Sequence, residues 1–146
     1  SIDNRAFYKC TSLTSITIPD TVTEMGRETF WGCESLERVS IPVGMTTIAQ
    51  SAFRDCKKLT SVTIPDSVTS IGWYAFQNCT ELKEVSIPSS VTNMGSSAFD
   101  MCNNLATVNY DGTQEQWNAI TRSRNFEGKM ITGKDANGNK TEWKSE

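Results

Sequence analysis

Histidine is absent from the 146-residue chain. Without an imidazole there is no Ser-His-Asp or Cys-His nucleophile and no His-ligated metal centre, which leaves carboxylates, Lys, Tyr and Cys as acid and base candidates. An excess of positive charge is missing too: 14 Lys+Arg face 17 Asp+Glu, for a net charge of −3 and a pI near 5.0. That balance offers no electrostatic footprint for a nucleic-acid backbone or an anionic membrane, so nucleic acid is not an expected partner. No run of about 18 apolar residues occurs, and no membrane-spanning helix is expected. Nor does a signal peptide or initiator Met open the sequence. The chain starts at Ser1 in mid-pattern and reads as an excised or processed piece, so the missing targeting segment says nothing about compartment. What the chain has in quantity is Ser and Thr, together nearly a quarter of the sequence. These suit exposed strands and turns better than helices, in a chain of single-domain length.

The organising signal is a repeat. Cysteines stand at Cys10, Cys33, Cys56, Cys79 and Cys102 with one constant spacing, and Leu13, Leu36, Leu59, Leu82 and Leu105 follow them in the same register. Phe7, Phe30, Phe53, Phe76 and Phe99 precede the cysteines, each three positions earlier. Further apolar columns run through Ile16, Val39, Val62, Val85 and Val108, through Val22, Met45, Val68 and Val91, and through Met25, Ile48, Ile71 and Met94. Self-similarity at this period, with Leu and Cys at fixed places, marks a leucine-rich solenoid.

The period converts to geometry. Val62 and Ile64 alternate with Ser61 and Thr63, which predicts a short strand with one face inward. Pro65 should end it, because an inner strand of a stacked sheet needs its N–H groups, and Pro-Asp-Ser supplies a turn. Val68 and Ile71 predict a second short strand, and Ala75, Phe76 and Cys79 at i, i+1 and i+4 fit one helical turn. The expected fold is therefore an α/β solenoid of 23-residue coils, short parallel strands plus short helical turns, stacked about 4.8 Å apart. Gly26, Gly72 and Gly95 form a column in which Ala49 also stands. Ala at one member argues for close packing rather than a left-handed backbone.

Cys79, Leu82, Val85, Ile87-Pro88, Val91, Met94-Gly95 and Ala98-Phe99, with their counterparts one period away, resemble the BspA-like leucine-rich repeats of bacterial and protist surface proteins. The resemblance covers Ile2 to about Tyr110. It implies a right-handed superhelix, a secreted or cell-surface location, and an adhesive or partner-binding role with a protein or glycan ligand.

Two readings compete for the cysteines. A disulfide set requires Cβ atoms about 3.5–4.5 Å apart, closer than stacked coils place them, and the odd count leaves one thiol over. Zinc requires ligands converging tetrahedrally, not strung along a line. Reduced cysteines buried in a core column are the expectation, with no metal or cofactor.

At Tyr110 the pattern changes, dividing a solenoid (1–110) from a C-terminal cap (111–146). Thr113 to Gln116 fits a capping box that opens a helix through about Thr121, with Trp117 in the Ile/Met column. Segments around Lys129–Thr132 and Lys140–Trp143, separated by the turn-rich Gly133–Asn139, predict a terminal hairpin. Asp135, Asn137, Asn139 and Glu146 sit at positions one, three, five and twelve of a calcium loop, but Lys140 replaces its sixth-position Gly. A hairpin turn is preferred. Ile2 matches Met25, so the chain begins in the second half of a coil, and this bare edge is a candidate for stacking against another copy.

Binding must use the positions outside the core columns. On the first strand these carry mostly hydroxyls, with Arg38 and Glu84 as the main charges. Trp73 and Tyr74 occupy positions that hold Arg27-Glu28, Gln50-Ser51 and Ser96-Ser97 in other coils, and Trp31 one that holds Tyr8, Arg54, Gln77 and Asp100. Since the repeat does not demand aromatics there, Trp31, Trp73 and Tyr74, with Arg38 and Glu84, are the candidate ligand-binding residues. Catalysis is the weaker alternative. Asp20 and Asp66 share a column about 9–10 Å apart, near an inverting pair's separation, but Val43 lies between them and turns select Asp anyway. No insertion builds a cleft. The chain is read as non-catalytic, with a structural spacer as the other non-enzymatic possibility.

Overall fold

The computed structural model describes residues 1–120 and 125–146. In chain order its strands are β1 (Ser15–Thr17), β2 (Arg38–Ser40), β3 (Thr47–Ile48), β4 (Ser61–Thr63), β5 (Ser70–Ile71), β6 (Glu84–Pro88), β7 (Asn93–Met94) and β8 (Thr107–Thr113). Helix α1 (Gln114–Ala119) and the strands β9 (Met130–Lys134) and β10 (Lys140–Lys144) follow. Coils are named below by their Phe.

Each coil crosses the solenoid three times. The first crossing is the predicted strand: Val62 is buried while Ser61 and Thr63 face out. β1 pairs with β2, and separately β4 with β6 and β6 with β8, all in parallel with the register of the repeat, Val62 against Val85 and Val85 against Val108. The second crossing is the two-residue strand ending in Ile48, Ile71 or Met94, again paired in parallel.

The third crossing is where a helical turn was expected, and it is a run of tight turns instead. Ala75, Gln77 and Cys79 donate to the carbonyls three residues back, whereas Tyr74, Phe76 and Asn78 donate to Ser96, Ala98 and Asp100 of the next coil. A helix would spend every N–H within its own segment and leave nothing for the stack. The alternation requires left-handed residues, found at Glu28, Ser51, Tyr74 and Ser97 and again at Asp55, Asn78 and Met101. They are not glycines, so each costs about 1–2 kcal/mol of backbone strain. The bonds to neighbouring coils offset it.

The glycine column behaves as close packing requires. A Cβ on Gly72 would come within 2.6 Å of Gln50 N, and one on Gly26 within 2.4 Å of Asn4 N. Two boundaries differ from the expectation. Pro88 is included at the end of β6, opposite Asp111 of β8, since a terminal Pro still offers its carbonyl. Gly133 and Lys134 belong to β9 rather than to the turn.

The core is a line of ladders. The five repeat Phe rings stack with centroids 5.1–5.4 Å apart, nearly parallel. Cys33, Cys56, Cys79 and Cys102 are buried beside them and unpaired, but Cys10 is exposed. This corrects the expectation of five core thiols. Each buried Sγ donates to a Phe carbonyl of the preceding coil, at 3.0–3.3 Å, a position that for Cys10 lies outside the chain. Ile2, Phe7 and Leu13 are only partly buried, unlike their inner counterparts, and Ile16 shares partial burial with Val39.

The far end is closed by the cap. Thr113 accepts from Gln116 N–H and Gln116 Oε1 accepts from Thr113 N–H, completing the capping box. The helix is described to Ala119; its expected end near Thr121 lies outside the described residues. Phe126 continues the Phe stack, 5.0 Å from Phe99, and Trp117 packs against both Phe126 and Tyr110. Asn125 takes the place of a further coil, accepting from Phe99 N–H and donating to Gly95 O. Strands β9 and β10 form the antiparallel hairpin, and β9 adds in parallel to β8.

Candidate functional site

The five residues singled out for binding fall in three places. Trp73 is 60% exposed. Its ring lies over Gly95, where a Cβ would meet Trp73 Cδ1 at 2.3 Å. With Arg27, Gln50, Ser70 and Asn93 it lines a shallow groove of about 400 Å³ over the second ladder, which Tyr74 does not enter.

Tyr74 instead joins Trp31 on the turn edge, through a residue not singled out from the sequence. Arg54 lies 4.6 Å over the Trp31 ring and 5.6 Å over the Tyr74 ring. Trp31 Nε1 donates to Asp55 Oδ2 at 2.8 Å, and Asn78 Nδ2 donates to Asp55 Oδ1 at 2.6 Å. Tyr8 meets Trp31 edge-on with centroids 5.6 Å apart. Both predicted aromatics are thus partly buried and held by their neighbours. The signal for Arg54 was readable: Tyr8, Trp31 and Arg54 fill one column in three successive coils.

Arg38 and Glu84 lie apart from the aromatics, on the outward side of the first ladder. Arg38 is level with Ser15 and borders a hydroxyl-lined groove with Thr17, Ser40, Ser61 and Thr63. Glu84 accepts from Asn109 Nδ2 at 2.8 Å.

The remaining chemistry is structural. Burial pushes the Cys33 thiol up to about 11 and raises Cys56 and Cys79 well above the usual thiol range, which keeps them protonated and unreactive. Asp135 accepts from the Asn137 and Asn139 N–H groups at 2.9 Å and from Asn139 Nδ2 at 3.2 Å. Those bonds, the Asn139 backbone first, hold its carboxyl below the usual range. Its oxygens therefore organise the hairpin turn. No group of three or more metal-ligating side chains occurs among the described residues. Asp66 borders a groove with Val43 and Ile64 that Asp20 does not reach.

The sequence profile of the BspA type leucine-rich repeat region matches residues 1–125 in six copies. The chain belongs to the BspA-type leucine-rich repeat family. Three solved structures carry the same fold. A leucine-rich cell surface protein from Faecalibacterium prausnitzii is 38% identical with a TM-score of 0.81 over 82% of this chain and 32% of its own. A leucine-rich repeat protein from Bacteroides ovatus is 38% identical, TM-score 0.70, over 73% of this chain and 28% of its own. The T. pallidum leucine-rich repeat protein is 33% identical, TM-score 0.72, over 90% and 65%. This BspA-type chain thus spans about a third of the length of the first two. No curated protein matches. No helix among the described residues is long and apolar enough to cross a membrane.

Proposed function

We propose that this BspA-type solenoid is a non-catalytic recognition module of a secreted or cell-surface protein. It engages a protein or glycan partner through Trp73 over the second ladder and through Trp31 and Tyr74 on the adjoining turn edge, while Arg38 and Glu84 serve a polar contact on the first ladder. The observation that carries the reading is Trp73, a large indole left 60% exposed over Gly95 in a coil stack whose other side chains of that size are at least partly covered. A flat ring above a groove with Arg27, Gln50 and Asn93 at its border suits stacking on a sugar or anchoring a partner protein. The Faecalibacterium relative is described as a cell surface protein, which supports the location. The chemistry present supports binding over catalysis: there is no imidazole, burial holds the Cys33, Cys56 and Cys79 thiols protonated, and the groove beside Asp66 does not include Asp20.

The test is a glycan array and a panel of extracellular-matrix proteins probed with the wild type and with Trp73→Ser. Ser96 stands at the same place in the next coil, so the stack accepts that side chain. Affinity for the ligand found should fall about tenfold or more, as for an interface anchor. Unchanged affinity removes Trp73 from the site.

A further inference from the structure

Arg54 is a cation held in place without an anion. Its guanidinium is stacked on rings from the coils on either side, Trp31 at 4.6 Å and Tyr74 at 5.6 Å. Its Nε is buried and has no hydrogen-bond partner. Three of the described cations have carboxylate partners: Arg5 has Glu28, Lys57 has Glu34 and Lys134 has Asp111. Among the described residues Arg54 has no such partner. The acid next to it in sequence, Asp55, has committed one oxygen to Trp31 and the other to Asn78.

The energetics of that arrangement favour a ligand. A guanidinium lying over two aromatic rings has already lost part of its rotamer freedom and of its water. With Nε buried, the two terminal nitrogens of its planar fork are the pair left to make parallel hydrogen bonds to a carboxylate. Part of what a free arginine would spend on ordering itself is therefore already spent here.

We propose that Arg54 is the anchor for a carboxylate side chain on a partner protein, presented by an acidic segment that lies along the turn edge. This deepens the recognition reading above and rests on it. A protein acid is favoured over a sugar because the guanidinium covers one face of each ring, and Tyr8 abuts Trp31 edge-on. Arg, Trp and Tyr are also the residue types in which protein interfaces concentrate their binding energy. Lys9, 5.2 Å over the Tyr8 ring and two coils away, or about 9–10 Å, extends the same edge with a second cation.

The probe is a short oligoglutamate peptide, with oligoglutamine of equal length as the neutral control, titrated into the intact chain while the arginine Nε–H resonances are followed by NMR. The Arg54 resonance should move saturably with oligoglutamate and not with oligoglutamine. Arg54→Gln should lower the affinity about tenfold. Gln77 fills this position in the next coil, and urea unfolding of the variant verifies that it folds. Arg54→Lys should restore little, since an ammonium lacks the fork. Lys140→Gln on the terminal hairpin should leave binding unchanged. Equal affinity in wild type and Arg54→Gln overturns the proposal, because attraction would then be general. If a carboxylated or sulfated oligosaccharide moves Arg54 at lower concentration than oligoglutamate, the protein partner is overturned in favour of a glycan. None of these readings depends on Trp73, so failure here is distinguishable from failure of the groove.

Discussion

At the residue scale the cysteine column shows how one side chain does two jobs. Its thiol is small enough to fill the space beside the Phe stack, and its S–H reaches a carbonyl of the preceding coil. Because burial raises the folded-state pKa, the neutral thiol is favoured by the folded chain, while the unfolded chain ionises near the ordinary value of 9.0. That stability is fully present below about pH 9. It is lost as pH rises from there toward about 11, the value reached by Cys33. Denaturant unfolding at pH 7 and at pH 10.5 should show a marked alkaline loss in the wild type. The double variant Cys56→Ala/Cys79→Ala should be less stable at pH 7, by about 1–3 kcal/mol for each lost sulfur, but should lose less on the way to pH 10.5. An equally steep loss would assign the alkaline effect to Lys and Tyr groups instead.

At the element scale, what the sequence made legible is what repeats. The strand register, the inward columns and the close approach at the glycines all follow from side chains recurring with one fixed period, and the capping box at Thr113 from a local motif. What was not legible depends on contacts between coils. The spacing of Ala75, Phe76 and Cys79 cannot tell a helical turn from a run of tight turns, because the two differ in where the backbone N–H groups go and not in which side chains face inward. Phe126 falls out of the register that runs from Phe7 to Phe99, so no column pointed to it. The column shared by Tyr8, Trp31 and Arg54 was readable, but that Tyr74 of the next coil meets Arg54 from the other side was not. The glycine column carries a prediction of its own. The N–H of Gly72 bonds to Ile48 O, and those of Gly26 and Gly95 bond to Ile2 O and Ile71 O. At Ala49 no such bond to Met25 is formed, and the second ladder is open at that junction. A methyl at this position thus separates neighbouring coils. Gly72→Ala should cost about 1–3 kcal/mol, and hydrogen exchange at residue 72 should quicken. A Gly72→Ala protein of wild-type stability would show that the coils yield freely.

At the scale of the whole molecule, those open junctions divide the solenoid unevenly. The second ladder is interrupted between Met25 of the Phe30 coil and β3 of the Phe53 coil, and the first between β2 of the Phe53 coil and β4 of the Phe76 coil. Turn-edge bonds cross both gaps: Phe30 N–H reaches Ala52 O, and Phe53 N–H reaches Ala75 O. The Phe76 and Phe99 coils are joined on all three sides, and the cap packs on the latter through Phe126, Asn125 and β9. A solenoid's stability is close to a sum over coils and junctions, so a junction lacking one ladder is where partial opening begins. Amides inside the well-joined part, such as Lys83 bonded to Thr60 O and Gly95 bonded to Ile71 O, should exchange only with global unfolding. Those on the other side, such as Gly26 bonded to Ile2 O and Glu37 bonded to Thr14 O, should exchange through an opening roughly 1–3 kcal/mol less costly, the worth of the missing hydrogen bonds. Native-state hydrogen exchange across a denaturant series separates the two groups by free energy and by slope. One common free energy for all four amides would mean that the turn-edge bonds and the Phe stack alone make the coils a single cooperative unit. The Arg54 edge, which bridges the Phe30, Phe53 and Phe76 coils, lies across both weak junctions. A partner bound there should therefore raise the protection of Gly26 and Glu37 more than that of Lys83 and Gly95.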